Sequence, residues 1–124
     1  MTKSLLIVDD DPENLKLILM ILATGGYELV TAADALQALR AIEARLPDLI
    51  LLDLQLPGMD GLELTRRLRA TPATRGVPIV AVTAYAMKGD ENKARDAGCD
   101  GYLVKPIDKR LLRETVKQYL ESTV

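Results

Sequence analysis

Histidine is absent from this chain of 124 residues, and so are phenylalanine and tryptophan. Without histidine the protein cannot itself be a phosphohistidine donor, and oxygen is left as the donor atom for any metal it holds. A single cysteine excludes an internal disulfide and fits a reducing compartment. With no second thiol and no imidazole to activate it, Cys99 is expected to be a small packed residue near a turn. The longest wholly apolar stretch, residues 17–23, is far too short to span a bilayer. Met1-Thr2-Lys3-Ser4 leads directly into an apolar run and has no signal-peptide pattern. A net charge of -2 gives no electrostatic drive toward nucleic acid. The basic residues within 105–117 are interrupted by Glu114 and by apolar positions, which describes a solvated amphipathic face. These absences lead to the expectation of a soluble cytoplasmic protein with neither membrane nor nucleic acid among its partners.

Aliphatic residues must carry the core, since 48% of the chain is hydrophobic but only 3% aromatic. The length suits one domain with a proper core. Apolar runs of strand length recur at 5–8, 49–52 and 79–82, with a shorter one at 102–104. Strands apolar on both faces are typical of parallel sheets covered on each side by helices. The segment 28–31 is apolar only at its centre, as an edge strand is. Helix-period segments alternate with the strands, roughly over 12–23, 34–45, 61–70, 87–97 and 108–121. Five strands alternating with five helices is an α/β pattern.

Local signals agree with these boundaries. Asp11-Pro12 is a cap followed by proline at the first helical position, and Gly25-Gly26 can end that helix with a left-handed residue. Asp60 with Glu63 has capping-box spacing, and Met59 with Leu64 has that of a hydrophobic staple. Strand order does not follow from this pattern. If it is the flavodoxin-like 2-1-3-4-5, the first and third strands are neighbours at the switch point, where ligands bind beyond the carboxyl ends.

In that arrangement Asp9 and Asp10, after the first strand, meet Asp53, after the third. At ~4 Å and an effective dielectric of about 20, each like-charged pair costs roughly 4 kcal/mol. Such a cluster needs a cation, or one member takes up a proton. Magnesium fits, with manganese as an alternative, because it takes one or two carboxylates plus water and phosphate oxygens. Asp10 and Asp53 would be direct ligands, with Asp9 acting through water. Asp11 reads as a helix cap because Pro12 follows it. Thr83 ends the fourth strand, where its hydroxyl can donate to a phosphoryl oxygen while the small Ala84 leaves room. Lys105, after the fifth strand, is a compact cation able to reach an anion across the pocket. Pro106 can follow it in cis or trans, trans being the default.

Asp9-Asp10, Asp53, Thr83-Ala84 and Lys105-Pro106, in that order and spacing, resemble the receiver domain of two-component response regulators. The likeness extends to 56–61, Leu-Pro-Gly-Met-Asp-Gly, and to 97–102, Ala-Gly-Cys-Asp-Gly-Tyr. It implies that Asp53 accepts a phosphoryl group from a partner's phosphohistidine. It also implies that Asp10, Asp53 and the backbone carbonyl of Gln55 hold the metal, that Lys105 bridges to the phosphoryl group, and that Thr83 and Tyr102 form a switch pair. Gln55 and Tyr85 occupy the positions that set phosphoryl lifetime. The implied partners are a histidine kinase or histidine phosphotransfer protein and a downstream protein target. The protein would be a monomer or a weak, phosphorylation-dependent homodimer through the fourth helix, fifth strand and fifth helix. Residues 1–124 are expected to be one receiver domain without an output domain.

On a helical wheel, Leu15, Ile18, Leu19 and Leu22 form one stripe in the first helix, which is assigned to the core. Leu17, Met20 and Ile21 then point outward as a contact patch for a helical partner. In receivers this face docks histidine-bearing helices. A rival enzyme reading, a phosphohydrolase with Asp53 as nucleophile, needs a second acid nearby, and Leu54-Gln55-Leu56 offers none. The expected protein therefore catalyses its own phosphorylation and dephosphorylation but turns over no other substrate.

Overall fold

Central strands that are apolar at every position can be satisfied only by helices on both faces, and the computed structural model has that arrangement. It describes residues 2–84 and 90–121. The elements, in chain order, are β1 (Ser4–Val8), α1 (Pro12–Leu22), β2 (Glu28–Ala32), α2 (Ala35–Ala44), β3 (Leu49–Asp53), α3 (Gly61–Ala70), β4 (Ile79–Thr83), α4 (Asp90–Ala97), β5 (Gly101–Val104) and α5 (Lys109–Leu120). All strands pair in parallel in the order β2-β1-β3-β4-β5. The flavodoxin-like order expected from the sequence is therefore present, and β2 is an edge strand. The expected helix over 87–97 is observed from Asp90, and 87–89 lie outside the described residues.

Strand periodicity divides the core into two layers. Leu6, Val8, Ile50, Leu52, Ile79 and Ala81 face Ala38, Ile42, Leu64, Leu68 and Ala94 of α2, α3 and α4. Leu5, Ile7, Leu49, Leu51, Val80 and Val82 face Ile18 and Leu22 of α1 and Leu112, Val116 and Leu120 of α5. Each fully buried aliphatic side chain contributes roughly 1.5–3 kcal/mol relative to exposure. Among the described residues, four helices start on an aspartate whose carboxylate accepts a backbone N–H of the first turn: Asp11, Asp34, Asp60 and Asp108. After α1 a short 3-10 turn ends at Gly26, whose φ of 78° is the left-handed conformation expected for that pair of glycines.

The wheel expectation for α1 needs one correction. Ile21 does not point outward: it is only 4% exposed and packs with Leu112, Val116 and Leu120. α5 lies beside α1 on the same face of the sheet, so the buried arc of α1 is wider than the sheet alone would make it. Leu15 and Leu19 become the half-buried flanks of that arc. Leu17 and Met20 are exposed as expected, at 41% and 66%.

Candidate functional site

The register of the sheet decides which side chains meet. Val8 pairs with Leu52, so Asp9 and Asp53 emerge side by side at the carboxyl ends of β1 and β3. Both are almost wholly buried, at 2% and 3% exposure, whereas Asp10 is exposed. Carboxylate oxygens of Asp9, Asp10 and Asp53 lie within 4.8 Å of one another. Lys105 enters from the end of β5, its backbone N–H donating to the Thr83 carbonyl oxygen at 2.8 Å. Its ammonium lies 3.0 Å from Asp53 Oδ2 and 3.2 Å from Asp9 Oδ2. The Lys105–Pro106 peptide is cis.

Three carboxylates therefore face one ammonium. Burial pushes the Asp53 carboxyl above its ordinary range, and the charge on Asp9 adds to that. The Gln55 N–H, which donates to Asp53 Oδ1 at 2.9 Å, and Lys105 pull it down without cancelling the rise. For Lys105, burial works to lower the pKa, but the hydrogen bond to Asp53 and the charges of Asp53 and Asp9 outweigh it and hold it above its ordinary value. Both partners shift upward because Lys105 has two carboxylates beside it, while Asp53 shares its one lysine with Asp9. The pocket remains net negative, as a site for a hard cation requires.

Backbone geometry fixes Asp53 from behind. The Leu54 N–H donates to the Val82 carbonyl at 3.1 Å and the Gly61 N–H to the Leu54 carbonyl at 3.0 Å. A Cβ on Gly61 would stand 2.6 Å from Leu54 Cα and 2.7 Å from the Asp53 carbonyl oxygen. Only glycine lets the start of α3 approach the acceptor strand this closely.

The remaining candidates fall around this centre. Thr83 is buried at the tip of β4 and Ala84 follows it in an exposed bend. Tyr102 pairs with Ala81 and is half-buried against the layer that holds Ala94 of α4. Strand parity puts Thr83 and Tyr102 on the same face, one diagonal step apart. The Gln55 side chain is exposed beside Asp53. Tyr85 lies outside the described residues. Leu17 and Met20 sit apart on the open face of α1. Cys99 is buried, its Sγ 3.7 Å from Thr65 Oγ1 and its thiol pushed up by burial, as a packed residue should be.

Sequence reasoning missed two residues of the site. Asn14, in the first turn of α1, donates its amide to Asp9 Oδ2. Its position five residues after Asp9 was a usable signal, because one turn of a helix starting at Pro12 brings it back over β1. Gly61 read only as the last residue of the 56–61 likeness and the start of the third helix, since the close approach it permits depends on tertiary structure.

With this geometry established, comparison with known proteins agrees. The family model for the response regulator receiver domain matches residues 5–117. The chain is a response regulator receiver domain. This receiver is 45% identical over 120 residues to the polar-differentiation response regulator DivK of Brucella ovis, covering 97% of this chain and 98% of that protein. The DivK of Brucella anthropi is 44% identical over the same coverage. Among solved structures, a response regulator from Chloroflexus aurantiacus superposes with a TM-score of 0.92 at 36% identity, covering 98% of this chain and all of that one. The receiver domain of the Pseudomonas aeruginosa sensor histidine kinase PA1611, which has magnesium coordinated in its active-site cleft, gives 0.88 at 37% identity with the same coverage. The receiver's place is in two-component signalling, and its described residues include no helix long and apolar enough to cross a membrane.

Proposed function

We propose that this receiver takes a phosphoryl group from a partner's phosphohistidine onto Asp53, with magnesium bound, and passes the event on through changed protein contacts. The observation that carries this reading is the convergence of Asp9, Asp10, Asp53 and Lys105 at the strand tips. The donor set fits magnesium. It offers only oxygen atoms, two of its three carboxylates are buried, and one lysine leaves its charge uncompensated. Asp10, Asp53 and the Gln55 carbonyl would hold the ion, with Asp9 at one remove. When bound, magnesium supplies neutralising charge to the phosphoryl oxygens.

Phosphoryl transfer asks the protein for positioning and charge more than for covalent help. An Asp53 carboxylate oxygen forms a bond to phosphorus as the P–N bond of the donor breaks, and the electron pair leaves on the imidazole nitrogen. With acetyl phosphate the P–O bond breaks instead and acetate departs. Lys105 stays within reach of the new phosphoryl oxygens, and Thr83 donates its hydroxyl to one of them. Tyr102, one step away on the same face, turns with Thr83 and alters the surface of α4, β5 and α5, where a downstream protein binds. Donors are a histidine kinase or a histidine phosphotransfer protein. Water later attacks the acyl phosphate, so the domain resets itself and turns over no other substrate. The cytoplasmic location expected from the sequence belongs with this reading.

Incubation with acetyl phosphate and magnesium should label the wild-type protein once, at Asp53. Asp53→Asn, or removal of magnesium with EDTA, should abolish the label. Label persisting in the variant would overturn the assignment.

A further inference from the structure

Asp9 is only 2% exposed, and each of its carboxylate oxygens is already engaged. Oδ1 accepts the Asp11 backbone N–H at 2.9 Å. Oδ2 accepts from two donors at once, the Asn14 amide and the Lys105 ammonium. These two donors differ in what holds them. Asn14 is fixed on the first turn of α1, whose start is set by the Asp11 cap and Pro12. Lys105 rides on a long stem from the end of β5 and divides itself between Asp9 and Asp53, at 3.2 and 3.0 Å. If Lys105 is to follow a phosphoryl group on Asp53, it must let go of Asp9. A buried carboxylate oxygen that loses its last donor, as Asp9 Oδ2 would without Asn14, resists that step because its charge stays out of water.

We propose that Asn14 is a positioning residue for phosphorylation: by occupying Asp9 Oδ2 it lets Lys105 leave Asp9 for the phosphoryl group, and it keeps Asp9 from swinging toward the metal. The proposal rests on the phosphoacceptor reading and deepens it. Asn14 touches neither the acceptor carboxylate nor the reacting phosphorus; it acts through Asp9. Partners at one remove from a metal or reacting group typically matter by about 10- to 100-fold, which sets the size of effect to look for. Asn14→Leu removes the amide, keeps nearly the same volume and is favourable in a helix, so the fold should survive, and a melting curve checks that it does.

The test is a double-mutant cycle of Asn14→Leu with Lys105→Met, read as the rate of Asp53 labelling by acetyl phosphate at saturating magnesium. Asn14→Leu alone should slow labelling by about tenfold. In the Lys105→Met background the same substitution should have little further effect, because the lysine that Asn14 releases is gone. A second readout needs no phosphorylation. A crystal structure of metal-free Asn14→Leu should show Lys105 drawn closer to Asp9 than to Asp53, the reverse of the present order. Equal slowing by Asn14→Leu in both backgrounds, or an unchanged rate with Lys105 still nearer Asp53, would overturn the assignment to Asn14 while leaving the phosphoacceptor reading intact. Absence of any label on the wild-type protein would overturn both.

Discussion

Asp53 holds its proton more tightly than an ordinary carboxylate, because burial disfavours its charged form. Because burial raises the folded-state value, the folded protein retains a proton over a pH range where the unfolded chain has released it. The stability this provides is complete below the unfolded pKa and is lost as pH rises through the folded one. In metal-free buffer the melting temperature should thus decline as pH rises beyond the ordinary carboxylate range. Asp53→Asn should flatten that decline and melt above the wild type near neutrality. Lys105 acts at the alkaline end: its raised value gives stability that is present below the unfolded lysine pKa and lost above the folded one. A wild-type pH slope retained in Asp53→Asn, measured by calorimetry, would rule out this account. Gly61 makes a different residue-scale prediction. The methyl of Gly61→Ala meets the Asp53 carbonyl oxygen and the Leu54 Cα, so the chain after Asp53 must move. Overpacking of this kind costs roughly 1–3 kcal/mol, and acetyl-phosphate labelling should slow with it. Asp60→Ala, one residue earlier, should cost about 1 kcal/mol of cap energy and leave the labelling rate unchanged.

Among the elements, α1 shows how a helix divides its faces between core and solvent. Ile21 and Met20 are adjacent in sequence, yet one is buried against α5 and the other is exposed. Ile21→Ala should therefore destabilise by about 2–5 kcal/mol, read from denaturant unfolding. Leu17→Glu should change stability by no more than about 0.5 kcal/mol. It should nevertheless slow phosphotransfer from a histidine-bearing helix while leaving acetyl-phosphate labelling intact. Loss of both activities, or of neither, would count against α1 as the docking face. This is also where sequence reading fell short. Strands were legible as unbroken apolar runs and helices by their period, and α3 was placed to the residue. The error at Ile21 arose because a wheel knows only one neighbour, the sheet, whereas the buried arc of α1 is set by α5 as well. The caps at Asp34 and Asp108 were missed among the many aspartates of an acidic chain, although their hydrogen bonds to Gln37 and Leu111 match the two that were read.

Across the whole molecule, the two ends of the sheet have separate tasks. The carboxyl end gathers the acids and Lys105, and at the amino end Arg69 ties β4 and β5 to α3. Its guanidinium donates to the carbonyls of Gly98, Arg75 and Val77 and to Asp100 Oδ2, at 2.6–2.8 Å. Asp100 also accepts the Ile79 N–H, which joins the starts of β4 and β5 to the end of α3. Arg69→Met should lower stability on the order of 3 kcal/mol, while labelling of Asp53 well below the melting temperature should stay near the wild-type rate. A large loss of labelling at full folding would show that the two ends are coupled. The candidate site was readable before the fold because its chemistry needs few residue types, and Asp9, Asp53, Thr83 and Lys105 each follow directly on an apolar strand run. Gly61 was not readable in the same way, since the close approach it permits exists only once α3 has docked.

Lys105 reaches its carboxylates only because the last strand of the sheet lies next to β4, far along the chain from Asp9 and Asp53. A nascent polypeptide that has emerged only as far as β4 can place three acids near one another but has no ammonium to set between them. Such a partial product should react more slowly with acetyl phosphate than the complete protein, however well its earlier strands have paired. On the phosphoacceptor reading, full chemical competence therefore comes late in biosynthesis, once the whole sheet has closed.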